Sequence, residues 1–245
     1  MDIIIFVISF VTAFIFSLGG VGAAIILIPI LVSLGIPINI AKPVGLFYNT
    51  VSLTGASVHN IKNKRLNFKI AIPVIVSSFL FAVVGAYVSK FIPNKTILLL
   101  LIGFLLFSGY MFLFHKKKEL EEYITNTPYL KLTLIGTLAG ILSGMLGIGG
   151  GGIISPLMLM IGFNPKQIVS VTAFVVPFSS FSGFLTYWAI GSVNWHILII
   201  VSIAGIVGAT SGTMFMQKKL NHNAVKKILA ILLLIMAIKL IFKIT

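Results

Sequence analysis

The sequence contains no cysteine and few acidic residues. Without cysteine the chain forms neither disulfides nor thiolate metal sites. Its four acidic residues are Asp2, at the very start of the first apolar run, and, in one segment, Glu119, Glu121 and Glu122, so no carboxylate lies in the interior of a long apolar run. Charged residues make up 9% of the chain, whereas ordinary soluble domains have about 25%. This composition excludes a soluble globular protein and the paired carboxylates of many hydrolases. We therefore predict no enzyme activity, no metal site and no cofactor.

Long apolar runs take the place of the missing charge. Hydrophobic residues make up 58% of the 245 residues, and the mean hydropathy is +1.15. A spanning helix needs about 20 apolar residues, and the chain predicts an all-α polytopic protein, multi-pass in the cell (inner or plasma) membrane. The net charge of +14 comes from short basic clusters between the runs. This pattern is typical of membrane loops and not of a nucleic-acid surface, so the expected partner is the lipid bilayer. The runs are 2–35, 43–58, 68–92, 96–114, 129–162, 168–190, 195–216 and 224–242.

Glycine, proline and asparagine residues recur at one constant spacing, the repeat spacing, which is the distance along the chain from Gly20 to Gly147. No gap is needed to align the two copies, and such self-similarity is the mark of an internal repeat. We predict a first membrane repeat at 1–114, a cytoplasmic linker at 115–130 and a second repeat at 131–245, together forming one integrated transmembrane domain. The matched pairs include Gly20 and Gly147, Gly22 and Gly149, Pro29 and Pro156, Gly35 and Gly162, and Asn67 and Asn194.

Basic residues in equivalent loops predict that the two repeats are inverted. The 59–69 loop carries four Lys or Arg residues and its counterpart at 191–196 carries none, while the next pair of loops reverses this bias. Because basic loops face the cytoplasm, equivalent loops lie on opposite sides and both termini lie outside. Inversion needs an odd number of crossings in each half. We therefore expect a broken or re-entrant first element, interrupted by glycines, and about three transmembrane helices per repeat.

The glycine clusters at 17–22 and 144–152 are the predicted breaks. A half-helix that starts at such a break presents free N–H groups and a positive dipole end, and two such ends near the bilayer midplane would bind an anion without a buried charge. The alternative is that the glycines only allow close helix packing. From the breaks and the polar second run of each half, the predicted substrate-binding residues are Gly20, Gly22, Asn49, Thr50, Ser52, Gly147, Gly149, Gly150, Gly151, Thr172, Ser179 and Ser182.

Two further groups of residues leave alternatives open. Each Ser or Thr of the second runs is either an anion ligand or an interhelical hydrogen-bonding group, and Asn49 fits both interpretations equally. Lys42 and Lys166 flank the second runs, where they mark membrane interfaces or line an access path. Gly103 and Gly109 pack within the chain or at the face of a homodimer.

The second half carries an ordered series of motifs: Leu146-Gly147-Ile148-Gly149-Gly150-Gly151, Pro156, Val171-Thr172-Ala173-Phe174, Gly183, Tyr187, Gly191-Ser192-Val193-Asn194-Trp195, Gly208 and Gly212. The first half is a degenerate copy, with Gly20-Val21-Gly22 in place of the full glycine run. This series resembles the TauE/SafE family of sulfite and organosulfonate permeases, and the resemblance covers nearly the whole chain. It implies a membrane permease for small oxyanions or sulfur compounds, an exporter in several members.

The sequence favours a secondary permease for a small anion, such as sulfite or an organosulfonate, that works by alternating access. One alternative is a passive anion channel or a carrier of a small neutral substrate. Saturation and counterflow separate a carrier from a channel, because a channel shows neither. A second alternative is a non-transporting membrane subunit that recruits partners through its lysine-rich loops, and flux through the protein alone would exclude it.

Overall fold

The computed structural model describes residues 1–16, 22–62, 66–114, 128–219 and 222–244. These residues form ten α-helices and one 3₁₀ turn at Ser89–Phe91, with no strand among them. Gly20 and residues 115–127 of the predicted linker lie outside the described ranges. The first half contains α1 (Asp2–Phe16), α2 (Ala24–Ser33), α3 (Ile38–Lys62), α4 (Phe68–Val88) and α5 (Asn94–Phe114). The second half contains α6 (Tyr129–Leu146), α7 (Gly151–Met160), α8 (Pro165–Ala189), α9 (Trp195–Lys219) and α10 (His222–Ile244).

The helices confirm an all-α polytopic membrane protein. In the described chain, five segments are long and apolar enough to cross a bilayer, and α1, α2 and α7 are shorter apolar helices. Large apolar side chains on α4, α6, α9 and α10 are exposed rather than packed inside, as expected where lipid is the solvent. The five segments are Phe68–Phe91, Asn94–Met111, Tyr129–Leu146, Gln167–Ala189 and Trp195–Gly212.

The repeat spacing also appears in the helix bounds. The repeat spacing separates the first residues of four pairs of equivalent helices: α1 and α6, α2 and α7, α3 and α8, and α4 and α9. The long first run of each half is two helices, with the glycine cluster between them. At the second break Gly147 ends α6 in the left-handed conformation, with φ 78°, which glycine adopts without strain.

The first helix of each half packs on the fourth helix of the other half. Gly136 of α6 faces Val74 of α4, and Gly144 faces Ala82, so these two helices run parallel. A Cβ at Gly144 would lie 2.1 Å from the Ala82 carbonyl oxygen. This contact is therefore backbone against backbone, the kind of approach that small residues permit between membrane helices.

The equivalent contact between α1 and α9 has the same direction. His196 Nε2 lies 3.0 Å from Asp2 Oδ2 near the start of both helices, and Gly208 faces the Phe10 carbonyl further along. The two halves are therefore intertwined, because each needs a helix of the other to cover its first helix.

The equivalent helices α3 and α8 pack against each other in opposite directions. Ser57 Oγ donates to the Ala173 carbonyl at 2.6 Å, and the rings of Phe47 and Phe184 lie 4.7 Å apart. The late part of α3 thus contacts the early part of α8, and the early part of α3 contacts the late part of α8. This antiparallel packing supports inverted repeats, which stay a prediction.

Prolines inside the helices explain why some buried hydroxyls are needed. Pro177 has no N–H for the Ala173 carbonyl four residues earlier, and Ser57 supplies the missing hydrogen bond from the other half. In the same way Ser108 of α5 donates, at 3.4 Å, to the carbonyl that Pro156 leaves without its helical partner. These serines hold the broken helices to the rest of the bundle.

The two glycines considered for a homodimer face have different surroundings. A Cβ at Gly109 would lie 2.9 Å from the side chain of Leu234, so Gly109 packs against α10 within the chain. A Cβ at Gly103 would meet nothing within 4 Å. The homodimer stays a prediction, with Gly103 as its remaining candidate contact.

Candidate functional site

Both helix breaks meet at the side chain of Asn49, which is completely buried. Its Oδ1 accepts a hydrogen bond from the Ala24 N–H at 3.0 Å, and its Nδ2 donates to the Ile148 carbonyl at 2.8 Å. A Cβ at Gly22 would lie 2.7 Å from Oδ1, and one at Gly149 would lie 2.3 Å from Nδ2. Both glycines have positive φ, 91° and 75°. The glycines are therefore required by backbone conformation and by the close approach of Asn49.

The two half-helices α2 and α7 differ at their N-termini. The first N–H of α2, at Ala24, is bonded to Asn49. The residue equivalent to Asn49 in the second half is Val176, whose side chain cannot accept a hydrogen bond. The N-cap of α7 is Gly150, which makes no side-chain cap hydrogen bond. The N-terminus of α7 therefore lacks the acceptor that α2 has, and it keeps more of its capacity to bind an anion.

Buried serines without a hydrogen-bond partner surround the second break. The Oγ atoms of Ser143, Ser155 and Ser180, on α6, α7 and α8, are buried and unpartnered within the described chain. Ser180 Oγ lies 3.2 Å from the position of a Cβ on Gly149. The sequence shows Ser180 only as one of several polar residues of its run. Its place beside the break depends on the packing of α8 against α7.

Most of the predicted hydroxyl ligands already donate to backbone carbonyls. A hydroxyl has one proton, so in this structure these groups offer lone pairs rather than donors to an anion. Ser182 bonds to the Phe79 carbonyl of α4 at 2.8 Å, which holds α8 to α4. The other pairs are Thr50 to Leu46, Ser52 to Asn49 (3.5 Å), Thr172 to Ile168 and Ser179 to Val176.

The predicted site residues therefore do not form one cluster. Gly22, Asn49 and Gly149 come together at one point, while the hydroxyls stabilise their own or neighbouring helices. Gly147 ends α6, Gly150 is the N-cap of α7 and Gly151 begins it. Gly20 lies outside the described residues.

Lys42 is buried beside the second break, which the sequence did not reveal. Its Nζ donates to Ser89 Oγ at 3.2 Å and lies 5.2 Å from the centre of the Tyr187 ring. Tyr187 in turn donates from its hydroxyl to the Gly144 carbonyl at 2.9 Å. The backbone of Lys42 also packs on Gly147, where a Cβ would lie 2.5 Å from the Lys42 Cα. Lys42 is thus tied to the C-terminal end of α6.

Comparison with known proteins identifies the family. The family model described as "Sulfite exporter TauE/SafE" matches residues 5–240. The chain belongs to the TauE/SafE family. The chain is 26% identical to "Probable membrane transporter protein MJ0441" of Methanocaldococcus jannaschii, over 88% of this chain and 86% of that protein. It is 26% identical to "Probable membrane transporter protein YunE" of Bacillus subtilis, over 98% and 97% of the two chains.

A plant member matches over a shorter stretch. "Sulfite exporter TauE/SafE family protein 6" of Arabidopsis thaliana is 37% identical over 93 residues, 38% of this chain and 22% of the plant protein. No solved structure matches the chain significantly. With the family and the apolar helices together, the protein is a multi-pass membrane transporter of the TauE/SafE family.

Proposed function

We propose that the protein is a secondary permease for a small anion, such as sulfite or an organosulfonate, that works by alternating access. The observation that carries this proposal is the meeting of both helix breaks at Asn49, with the N-terminus of α7 lacking a side-chain acceptor. Half-helix ends of this kind attract anions by their free N–H groups and dipole. The family description names a sulfite exporter, which agrees with a small oxyanion and with outward transport.

The donors for the anion are the backbone N–H groups at the start of α7 and the Ser180 hydroxyl. Ser180 is the better placed hydroxyl because its proton is not committed to a carbonyl in the described chain, unlike that of Thr172 or Ser179. Gly22, Asn49 and Gly149 form the wall of the site. Transport needs no covalent chemistry, and we place the protein in the cell membrane, with two inverted repeats forming one domain.

Flux measurements on proteoliposomes test this function. Purified protein in vesicles of defined lipid is expected to move sulfite or methanesulfonate with saturation and counterflow. Gly149→Leu is expected to abolish flux, because the added side chain would enter the space of Asn49 at a residue with φ 75°. Gly103→Leu is the matched control, since its site is open.

A second variant removes the risk that Gly149→Leu only misfolds. Ser180→Ala deletes a hydroxyl that makes no hydrogen bond in the described chain, so the fold is expected to be retained while the KM for the anion rises. Unchanged flux in both Gly149→Leu and Ser180→Ala would refute a site at the second break. Flux without saturation or counterflow would show a channel instead of a carrier.

A further inference from the structure

A polar cavity of about 270 Å³ opens where the two halves meet at the ends of several helices. Its walls come from the start of α3, the 3₁₀ turn, the start of α5, the end of α8 and the segment that follows α8. By the loop charges, this end of the bundle faces away from the cytoplasm. The polar side chains that line it include Asn39, Lys42, Lys90, Asn94, Tyr187 and Ser192.

Lys42 brings a positive charge to this cavity without a compensating carboxylate. Its side chain is 3% exposed, and among the side chains that the structure describes it is the only buried charged one. Asp2 is the single acidic residue within the described ranges, and it pairs with His196. The neighbours of Lys42, Ser89 and the Tyr187 ring, are neutral.

Burying a charge is costly unless an opposite charge compensates it. A lysine ammonium has three N–H donors, and Ser89 accepts one of them. Lys90 also lines the cavity and adds a second cation to the same wall. An anion from solution would supply the missing charge and accept the remaining hydrogen bonds.

The cavity size limits the anion to a small one. Drug-sized ligands occupy pockets of about 300–1,000 Å³, and a water molecule takes about 30 Å³ of liquid volume. A volume of about 270 Å³ holds a small oxyanion with several waters. The amides of Asn39 and Asn94 are additional donors at its wall.

This set of residues, to which both halves contribute, is not repeated in the sequence. The residues that stand one repeat spacing away from Lys42, Ser89 and Tyr187 are Val169, Met216 and Asn60. A buried lysine required by the repeated fold itself would be expected in both copies. The presence of the buried lysine in only one of the two repeats points to a function at one face of the membrane.

We propose that this cavity is an oxyanion-binding site, with Lys42 as its main ligand, at the non-cytoplasmic end of the transport path. The ligand class is a small sulfite- or sulfonate-type anion, and this assignment rests on the proposed function. Because Lys42 packs on Gly147 and Tyr187 bonds to Gly144, the cavity adjoins the second break. An anion leaving the break would reach Lys42 next.

Ligand-dependent thermal stability tests the site without requiring transport. The purified protein in nanodiscs of neutral phosphatidylcholine is heated with sulfite, methanesulfonate or chloride, and unfolding is followed by tryptophan fluorescence. A ligand that binds only the folded state raises Tm with concentration. Sulfite and methanesulfonate are expected to raise the Tm of the wild type and of Lys95→Met, which replaces an exposed lysine nearby. In Lys42→Met the shift is expected to disappear.

The Tm without ligand separates binding from a purely structural role. Lys42→Met removes an uncompensated buried charge, so its Tm without anion is expected to equal or exceed that of the wild type. A lower Tm in the absence of anion, or an anion-induced shift that survives in Lys42→Met, would overturn the proposal.

A lipid headgroup carries the same oxyanion chemistry, and a second set of nanodiscs distinguishes it. If phosphatidylglycerol raises Tm in a Lys42-dependent manner while sulfite and methanesulfonate have no effect, the soluble-anion site is refuted. Flux is scored separately. Lys42-dependent anion binding without any flux would support this site and refute the proposed function. Flux in the wild type, with anion binding unchanged in Lys42→Met, would support the proposed function and refute this site.

Discussion

Replacing Asn49 with leucine tests whether one side chain holds the two helix breaks together. The substitution keeps the number and branching of the side-chain heavy atoms but removes both hydrogen bonds, to the Ala24 N–H and the Ile148 carbonyl. Each buried group left without a partner costs about 1–3 kcal/mol, so the expected loss of unfolding free energy is about 2–6 kcal/mol. Side-chain hydrogen bonds between membrane helices average only about 0.6 kcal/mol each. We expect the larger loss because both partners lie at the breaks, where α2 begins and α6 has ended.

The assay is reversible unfolding in mixed micelles of increasing SDS fraction, followed by circular dichroism. Ser52→Ala is the matched control, one turn away on α3, because its hydroxyl makes only a long 3.5 Å contact to the Asn49 carbonyl of its own helix. If Asn49→Leu and Ser52→Ala unfold at the same SDS fraction, Asn49 does not clamp the breaks and the convergence of the two half-helices has another cause.

Two further substitutions test the packing. Gly144→Ala is expected to lower Tm markedly, because its Cβ would lie 2.1 Å from the Ala82 carbonyl oxygen. Gly103→Ala, at an open position, is the control and is expected to be neutral or to stabilise its helix by up to about 1 kcal/mol. Equal changes in Tm would contradict the parallel α4–α6 contact. Ser57→Ala is expected to cost about 1–3 kcal/mol by leaving the Ala173 carbonyl without a partner, and to cost much less when Pro177→Ala restores the helical N–H. An additive double-mutant cycle in SDS unfolding would rule out that explanation.

Several features of the fold could be predicted because they depend on local sequence. Glycine at Gly147 and Gly149 marks the second break, since both residues adopt positive φ that other residues avoid. The apolar runs predicted the helices, and the repeat spacing predicted that equivalent helices start at matching positions. Such signals are carried by the order of residues along the chain, so no knowledge of tertiary packing is needed to detect them.

The chemistry of the site depended on contacts that no local pattern contains. Asn49 fitted a ligand and a structural residue equally well, and only its bonds to Ala24 and Ile148 show that it joins the breaks. Lys42 flanks an apolar run, where an exposed interface lysine is the usual outcome. Its burial is determined by Ser89 and Tyr187, which are remote in sequence.

The exchange of first helices between the halves has a consequence for how such a chain can arise and assemble. In the intact protein, α1 is covered by α9, which is synthesised only late in the second half of the chain, and α4 is covered by α6. A single half would find these partners only in a second copy packed about the antiparallel contact of α3 and α8. With the inverted repeats that we predict, an ancestral half-length protein of this architecture would need to insert in both orientations and pair as a dimer before the two halves were joined in one chain.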